Sequence, residues 1–147
     1  MNDEQSNRDE HFMRVAIEQS KLGNYPYGAV LVKDNELKFK AHNTGNDDPT
    51  AHAEINLIRE ATKALGTASL RGYTLYTSSE SCPMCAAAEI WAGVSRVVYG
   101  ASIQQLIEVG QSQIEISSST VNQAGFIHYE LTGGVLAEEA LAVVAKN

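Results

Sequence analysis

Apolar and polar positions alternate between two rhythms along the chain, and each change of rhythm marks an element. From Asp9 to Gly23, Phe12, Val15, Ala16 and Gln19 recur at helical spacing and Gly23 supplies a stop, so a helix is predicted there. The polar residues 1–8 before it are expected to form a flexible tail. "YGAVLVK" is a β-branched apolar run, the pattern of a buried strand. "ELKFKAH" alternates, with Leu37, Phe39 and Ala41 on one face, and "KDNE" between the two runs predicts a hairpin. After the polar loop "NTGNDDPT", "TAHAEINLIREATKAL" reads as a helix ended by Gly66.

The second half repeats the alternation. "YTLYTS" predicts a strand, "CPMCAAAEIWAG" a helix, "SRVVYGA" a strand and "SIQQLIEVG" a short helix. "SQIEISSSTVNQAG" has little periodicity and reads as loop. "FIHYEL" alternates like a strand, and "LAEEALAVVAK" closes the chain as a helix. The order α-β-β-α-β-α-β-α-β-α predicts an α/β fold with helices on a central, partly parallel sheet. That many elements in 147 residues predict one domain, 1–147.

Composition narrows the class. Hydrophobic residues make up 44% and charged residues 20%, the mix of a soluble globular protein. The polar, acidic opening "MNDEQSNRDE" is unlike a targeting peptide, and no apolar run is long enough for a membrane span, so a cytoplasmic protein with no membrane partner is expected. The net charge is −7, and the basic residues are scattered. Nucleic-acid partners usually meet a clustered basic surface, so a small uncharged substrate is favoured.

The chain has two cysteines, Cys82 and Cys85, in "SSESCPMC". By themselves they allow a redox pair, a metal site or two small buried side chains. His52 in "DPTAHAEIN" changes the balance. It starts one predicted helix, and the cysteines start another. Thiolates are favoured at helix N-termini, and zinc accepts two sulfurs and an imidazole, with a fourth position left for water. Glu54, two residues after His52, can enter the same cavity as a proton carrier without ligating the metal. A structural zinc protein would want a fourth ligand, and no further cysteine exists. His11, His42 and His128 lack partners at ligand spacing.

"HAE" at 52–54 followed by "CPMC" at 82–85 resembles the H-x-E…P-C-x-x-C signature of zinc deaminases. With "YPYGAVLV", "DPTAHAEI" and "TLYTSSESCPMCAAAEIWAGVSRVVYGA", the stretch from about Phe12 to about Gly100 resembles the cytidine and deoxycytidylate deaminase superfamily. The resemblance implies a three-layer α/β/α fold around a mixed five-stranded sheet. It implies one Zn2+ per chain, held by His52, Cys82 and Cys85, with Glu54 as catalytic proton shuttle. It further implies substrate contacts from Asn43, the Ala53 backbone N–H, Tyr27 and Trp91, and a homodimer. One residue departs from the pattern: Ser81 stands where the family usually has proline, and it is expected to cap the helix that follows.

Within the superfamily the chain resembles both the guanine deaminase and the tRNA adenosine deaminase branches through "DPTAHAEI". "EIWAG" resembles the guanine branch, and the loop from Asn43 to His52 is about two residues shorter than in the tRNA branch. Ser112 and Gln113 occupy the positions where the guanine branch carries an acid, and the C-terminal tail lacks aromatic residues. The expectation is therefore hydrolytic deamination of a free base, guanine or an isocytosine- or cytosine-like ring. A tRNA adenosine or nucleoside deaminase is the alternative.

Overall fold

The computed structural model describes residues 3–146. The chain runs α1 (Asp3–Ser20), β1 (Gly28–Lys33), β2 (Glu36–His42), α2 (Ala53–Leu65), β3 (Thr74–Ser79), α3 (Pro83–Ala92), β4 (Arg96–Ala101), α4 (Ile103–Glu108), α5 (Ser118–Ala124), β5 (Glu130–Thr132) and α6 (Ala137–Ala145). The strands form one mixed sheet in the order β2-β1-β3-β4-β5. β1 is antiparallel to β2 and β3, whereas β3, β4 and β5 run parallel.

The period-2 geometry of strands divides each apolar run between two cores. Ala29, Leu31, Leu75 and Val97 face one side, where they pack with Ala53, Leu57 and Ala61 of α2 and Ile90 of α3. Val30, Val32, Tyr76 and Val98 face the other, against Phe12, Met13 and Ala16 of α1 and Ala140 and Val144 of α6. Both sheet faces are covered, which explains the continuous apolar character of "GAVLV". Gly28 lies so close to α1 that a Cβ would meet Ala16 O and Ser20 N at 2.4 Å each. On that same side Asp9 of α1 accepts two guanidinium hydrogen bonds from Arg96 of β4, at 2.8 Å each, and one from the Tyr76 hydroxyl at 2.7 Å.

Three local expectations change. Residues 3–8 are helix rather than tail, and Met1 and Asn2 lie outside the described residues. Asp3 and Glu4 in the first turn oppose the positive end of the helix dipole, which favours the earlier start. The expected loop contains α5, capped by Ser117 Oγ accepting from Thr120 N at 3.1 Å. Its Ser-rich sequence has weak helical preference, and the helix is held through tertiary bonds to Glu80 described below. The last strand begins only at Glu130, because Asn122 takes both backbone groups of Tyr129, at 2.9 and 3.1 Å.

Candidate active site

The sheet's topology collects six chain segments at one edge. β3 and β4 end there, β1 begins there, β2 ends there, and α2 and α3 start there. His52 is the N-cap residue of α2 and Cys82 that of α3, each in extended conformation with no side-chain cap bond. Their side chains are thus free to point at each other. Pro83 fills the first position of α3, where its missing N–H costs nothing, and Cys85 follows within the first turn, fully buried.

His52 Nδ1 lies 3.6 Å from Cys82 Sγ and 3.6 Å from Cys85 Sγ. Tetrahedral zinc with bonds of about 2.3 Å to sulfur and about 2.0–2.1 Å to nitrogen requires an N···S edge of about 3.6 Å. The three ligand atoms all lie within 4.8 Å of one another, and they are the one such cluster among the described residues. The donor set and its spacing therefore fit a zinc ion with three protein ligands. The electrostatics agree. Hydrogen bonding from the Cys85 thiol, and then from His52, draws the Cys82 thiol down to about 4, while the same partnership and burial hold the Cys85 proton well above its ordinary range. The Cys82 contact raises His52.

Glu54, in the first turn of α2, is buried, and burial followed by the neighbouring Cys82 pushes its carboxyl up to about 7. With His52 and Cys82 it lines a small inner chamber of about 40 Å³, reached by Tyr27, Thr77, Ser79 and Gln113. This chamber adjoins an outer cavity of about 660 Å³, with which it shares Tyr27, His52, Cys82 and Gln113. Asn43 lines the outer cavity; its Oδ1 accepts from Gly45 N at 2.7 Å, so its Nδ2 amide is the group left for a ligand. It is both a turn residue and a cavity residue. Ala53 opens α2 with its N–H in the uncapped first turn.

Tyr27 joins the two chambers. Its hydroxyl donates to Gln111 Oε1 at 3.0 Å and accepts from Gln113 Nε2 at 3.5 Å, and burial pushes its pKa up to about 12. Gln111, Gln113, Tyr25 and Met84 line the cavities and were not singled out as ligand contacts by the sequence. They come from loops and a helix flank without periodic signal; only the position of Gln113 was marked, through the resemblance.

Glu80 was also missed, although it stands inside the quoted motif. Its Oε1 accepts from Ile103 N at 2.9 Å, and its Oε2 from Ser118 N and Oγ at 2.8 Å each. One buried carboxylate thus ties the starts of α4 and α5 to the floor of the inner chamber.

Two site expectations are corrected. Trp91 does not reach the cleft: it is 77% exposed and packs on Phe126, ring centroids 5.0 Å apart. Six residues beyond Cys85, it is about 9 Å further along the axis and rotated away from the ligand face. Ser81 does not cap α3. Cys82 holds the cap position, and the Ser81 hydroxyl lies 2.7 Å from Glu89 Oε2, as its donor, in the buried interior.

Comparison with known proteins agrees with this geometry. Residues 6–101 match the model of the cytidine and deoxycytidylate deaminase zinc-binding region. The chain belongs to this family. Its zinc is the cofactor that the Cys2His site of this deaminase domain fits. Among its relatives, the tRNA-specific adenosine deaminase of Bacillus subtilis is 46% identical over 100 residues, covering 64% of this chain and 62% of that protein. The guanine deaminase of the same organism is 46% identical over 87 residues, covering 58% of this chain and 56% of that protein. The matched part thus spans about three-fifths of either relative's length. A solved structure from work on tRNA:A34 deaminases superposes with a TM-score of 0.78 at 31% identity, covering 90% of this chain and 98% of that one.

Proposed function

We propose that this deaminase domain hydrolyses the exocyclic amine of a small, uncharged amino-heterocycle, a free base of guanine, isocytosine or cytosine type, releasing ammonia. The observation that carries the reading is the lining of the two chambers: beside the ligand residues stand aromatic, amide, hydroxyl and apolar groups and the carboxyls of Glu54 and Glu80, with no Lys or Arg in either. A polyanionic substrate would want cations at that mouth; a neutral ring wants aromatic faces and amide edges.

In this reading His52, Cys82 and Cys85 hold the zinc, which supplies Lewis acidity that makes a water nucleophilic near neutral pH. The Glu54 carboxyl takes a proton from the attacking water, delivers it to a ring nitrogen, and passes the next to the departing amine. The C–N bond breaks, a C=O bond replaces it, and the amine leaves as ammonia. The Ala53 N–H and Asn43 Nδ2 bind the ring's polar edge, and Tyr27 packs against its face. The exposed Trp91–Phe126 pair supports a homodimer, since an aromatic patch of this kind suits a subunit contact.

A second reading is favoured by sequence similarity. The 46% identity to a tRNA-specific adenosine deaminase and the fit to a tRNA:A34 deaminase structure support adenosine in a tRNA loop as substrate. One experiment separates the two. Ammonia release is measured over guanine, isocytosine, cytosine, adenosine and cytidine, beside inosine formation in tRNA. Turnover of a free base supports the first reading. Inosine in tRNA with no free-base turnover sinks it.

A further inference from the structure

Glu80 is a buried carboxylate that the chemistry above does not use. It follows β3 directly, two residues before Cys82, and its backbone N–H donates to Ala101 O at 2.7 Å. Its Oε1 accepts from Ile103 N at 2.9 Å, and its Oε2 from Ser118 N and Oγ at 2.8 Å each. Ile103 and Ser118 are the first residues of α4 and α5, and the N–H of a first helical residue has no partner inside its own helix. Three donors occupy the two oxygens. The group is therefore spent on the protein and is no second proton carrier beside Glu54.

Between α4 and α5 runs a wall of the outer cavity. Five consecutive residues, 110–114, line that cavity. The wall has little structure of its own: among the described residues, no backbone hydrogen bond joins residues 112–115 to another element. Gln111 and Gln113 are half-buried while Ser112 and Ile114 are exposed, and the two amides meet the Tyr27 hydroxyl at 3.0 and 3.5 Å. The wall is thus held at its two ends through Glu80 and in its middle through Tyr27. We propose that Glu80 is a positioning residue for the substrate. Its carboxylate fixes residues 109–117 against the segment that carries Cys82, and so keeps Gln111 and Gln113 on Tyr27, in the wall that meets the ring. The inference rests on the reading that the outer cavity takes the substrate ring. Its consequence is selective. Without the carboxylate the wall loosens and substrate binds more weakly, while the zinc ligands, carried by the starts of α2 and α3, stay together.

The test uses the zinc-loaded full chain with Glu80→Gln, Ser118→Ala, and Gln111→Ala combined with Gln113→Ala. Both Glu80 oxygens accept, so whichever way the Glu80→Gln amide lies, its NH2 faces a donor. Zinc should stay one-to-one in every variant. Amide hydrogen exchange at residues 110–116 should quicken about tenfold in Glu80→Gln, with exchange in α2 and α3 unchanged. On the substrate that is turned over, KM should rise about tenfold and kcat should change by less than about threefold. Added to the Gln111 and Gln113 pair of changes, Glu80→Gln should raise KM little further, because both act through one wall. Ser118→Ala removes one bond of the three and should move exchange and KM the same way by a smaller factor; it carries the test if Glu80→Gln does not fold. Unchanged exchange at 110–116 overturns the proposal, as does loss of zinc, a fall in kcat with KM unmoved, or a KM effect that adds in full to that of the paired change. The zinc and exchange readouts need no substrate, and the KM readout can use a free base or tRNA, so failure here is separate from failure of the free-base reading.

Discussion

His52 and Cys85, 33 residues apart in the chain, meet with Nδ1 and Sγ 3.6 Å apart because α2 and α3 both start at the same edge of the sheet. The ligand set is thus assembled by the fold rather than by local sequence. Replacing His52 or Cys85 with Ala should abolish stoichiometric zinc, read by atomic absorption, and with it ammonia release. The circular dichroism of the domain should persist, since neither residue belongs to either apolar core cluster. Zinc bound one-to-one in Cys85→Ala would show that the donor set has been misread.

Glu54 has a different part and should give a different phenotype. Its carboxyl is buried and sits in the inner chamber beside the ligands without belonging to the ligand cluster. Glu54→Gln keeps shape and removes the exchangeable proton. Zinc content should match wild type while turnover falls about 10²–10⁴-fold, the usual weight of a positioned acid–base group. Unchanged turnover would refute the shuttle.

Zinc affinity should depend steeply on pH. The Cys82 contact raises His52, and Cys85 holds its proton well above the ordinary range, so protons compete with zinc at both. The sign follows: acidification restores the competing protons and weakens binding. Competition against a chelator between about pH 8 and about pH 6 should show affinity falling toward the acid side, by up to about tenfold per pH unit for each proton displaced. Calorimetry in buffers of different ionisation enthalpy should show protons released on binding. Affinity flat across that window would contradict the electrostatics of the three ligands.

The mixed α/β architecture and the zinc ligands were legible because each rests on a strong local signal: period-2 apolar runs, glycine stops, and residues of scarce types at fixed spacing. The cleft walls were not. Gln111 and Tyr25 sit in segments whose shape depends on tertiary contacts, and nothing in their composition announces a cavity. α5 was invisible for a related reason, since the Glu80 carboxylate that anchors its start lies 38 residues earlier. Trp91 was misplaced because its contact came from the resemblance alone; the helical phase, counted from Cys85, turns it outward. Ser81 was read by its usual capping habit, whereas the buried Glu89 makes a stronger claim on its hydroxyl.

The Asp9–Arg96 pair should matter to stability and not to chemistry. Arg96 and Asp9 side chains are 11% and 2% exposed, joined by two bonds of 2.8 Å on the sheet face opposite the ligand helices. Removing Asp9 leaves the Arg96 charge with Thr132 Oγ1 at 3.1 Å and the exposed Glu130 carboxylate at 3.8 Å as its remaining partners. Asp9→Ala should cost about 3–5 kcal/mol in urea denaturation, whereas replacing both residues with apolar ones of similar volume should cost much less. Turnover per folded molecule should be unchanged. A loss below about 1 kcal/mol in Asp9→Ala would mean that the pair is far more hydrated than its burial indicates.

Glu89 should leave a mark on the pH dependence of folding. Its carboxyl is raised well above 4.5 by burial and by Glu54, so the folded state keeps a proton that the unfolded chain gives up. Below the unfolded-state value both states are protonated and the residue's contribution is fully present. As pH rises through that value, the unfolded state ionises alone and gains free energy. Stability from this residue then falls by about 1.4 kcal/mol per pH unit, until the folded pKa is reached. Glu89→Gln removes the ionisation and keeps the shape. In urea titrations at about pH 5 and about pH 8, the variant should gain on wild type as pH rises, with m-values unchanged. Parallel curves for the two proteins would mean that Glu89 ionises in the folded state much as it does in the unfolded chain.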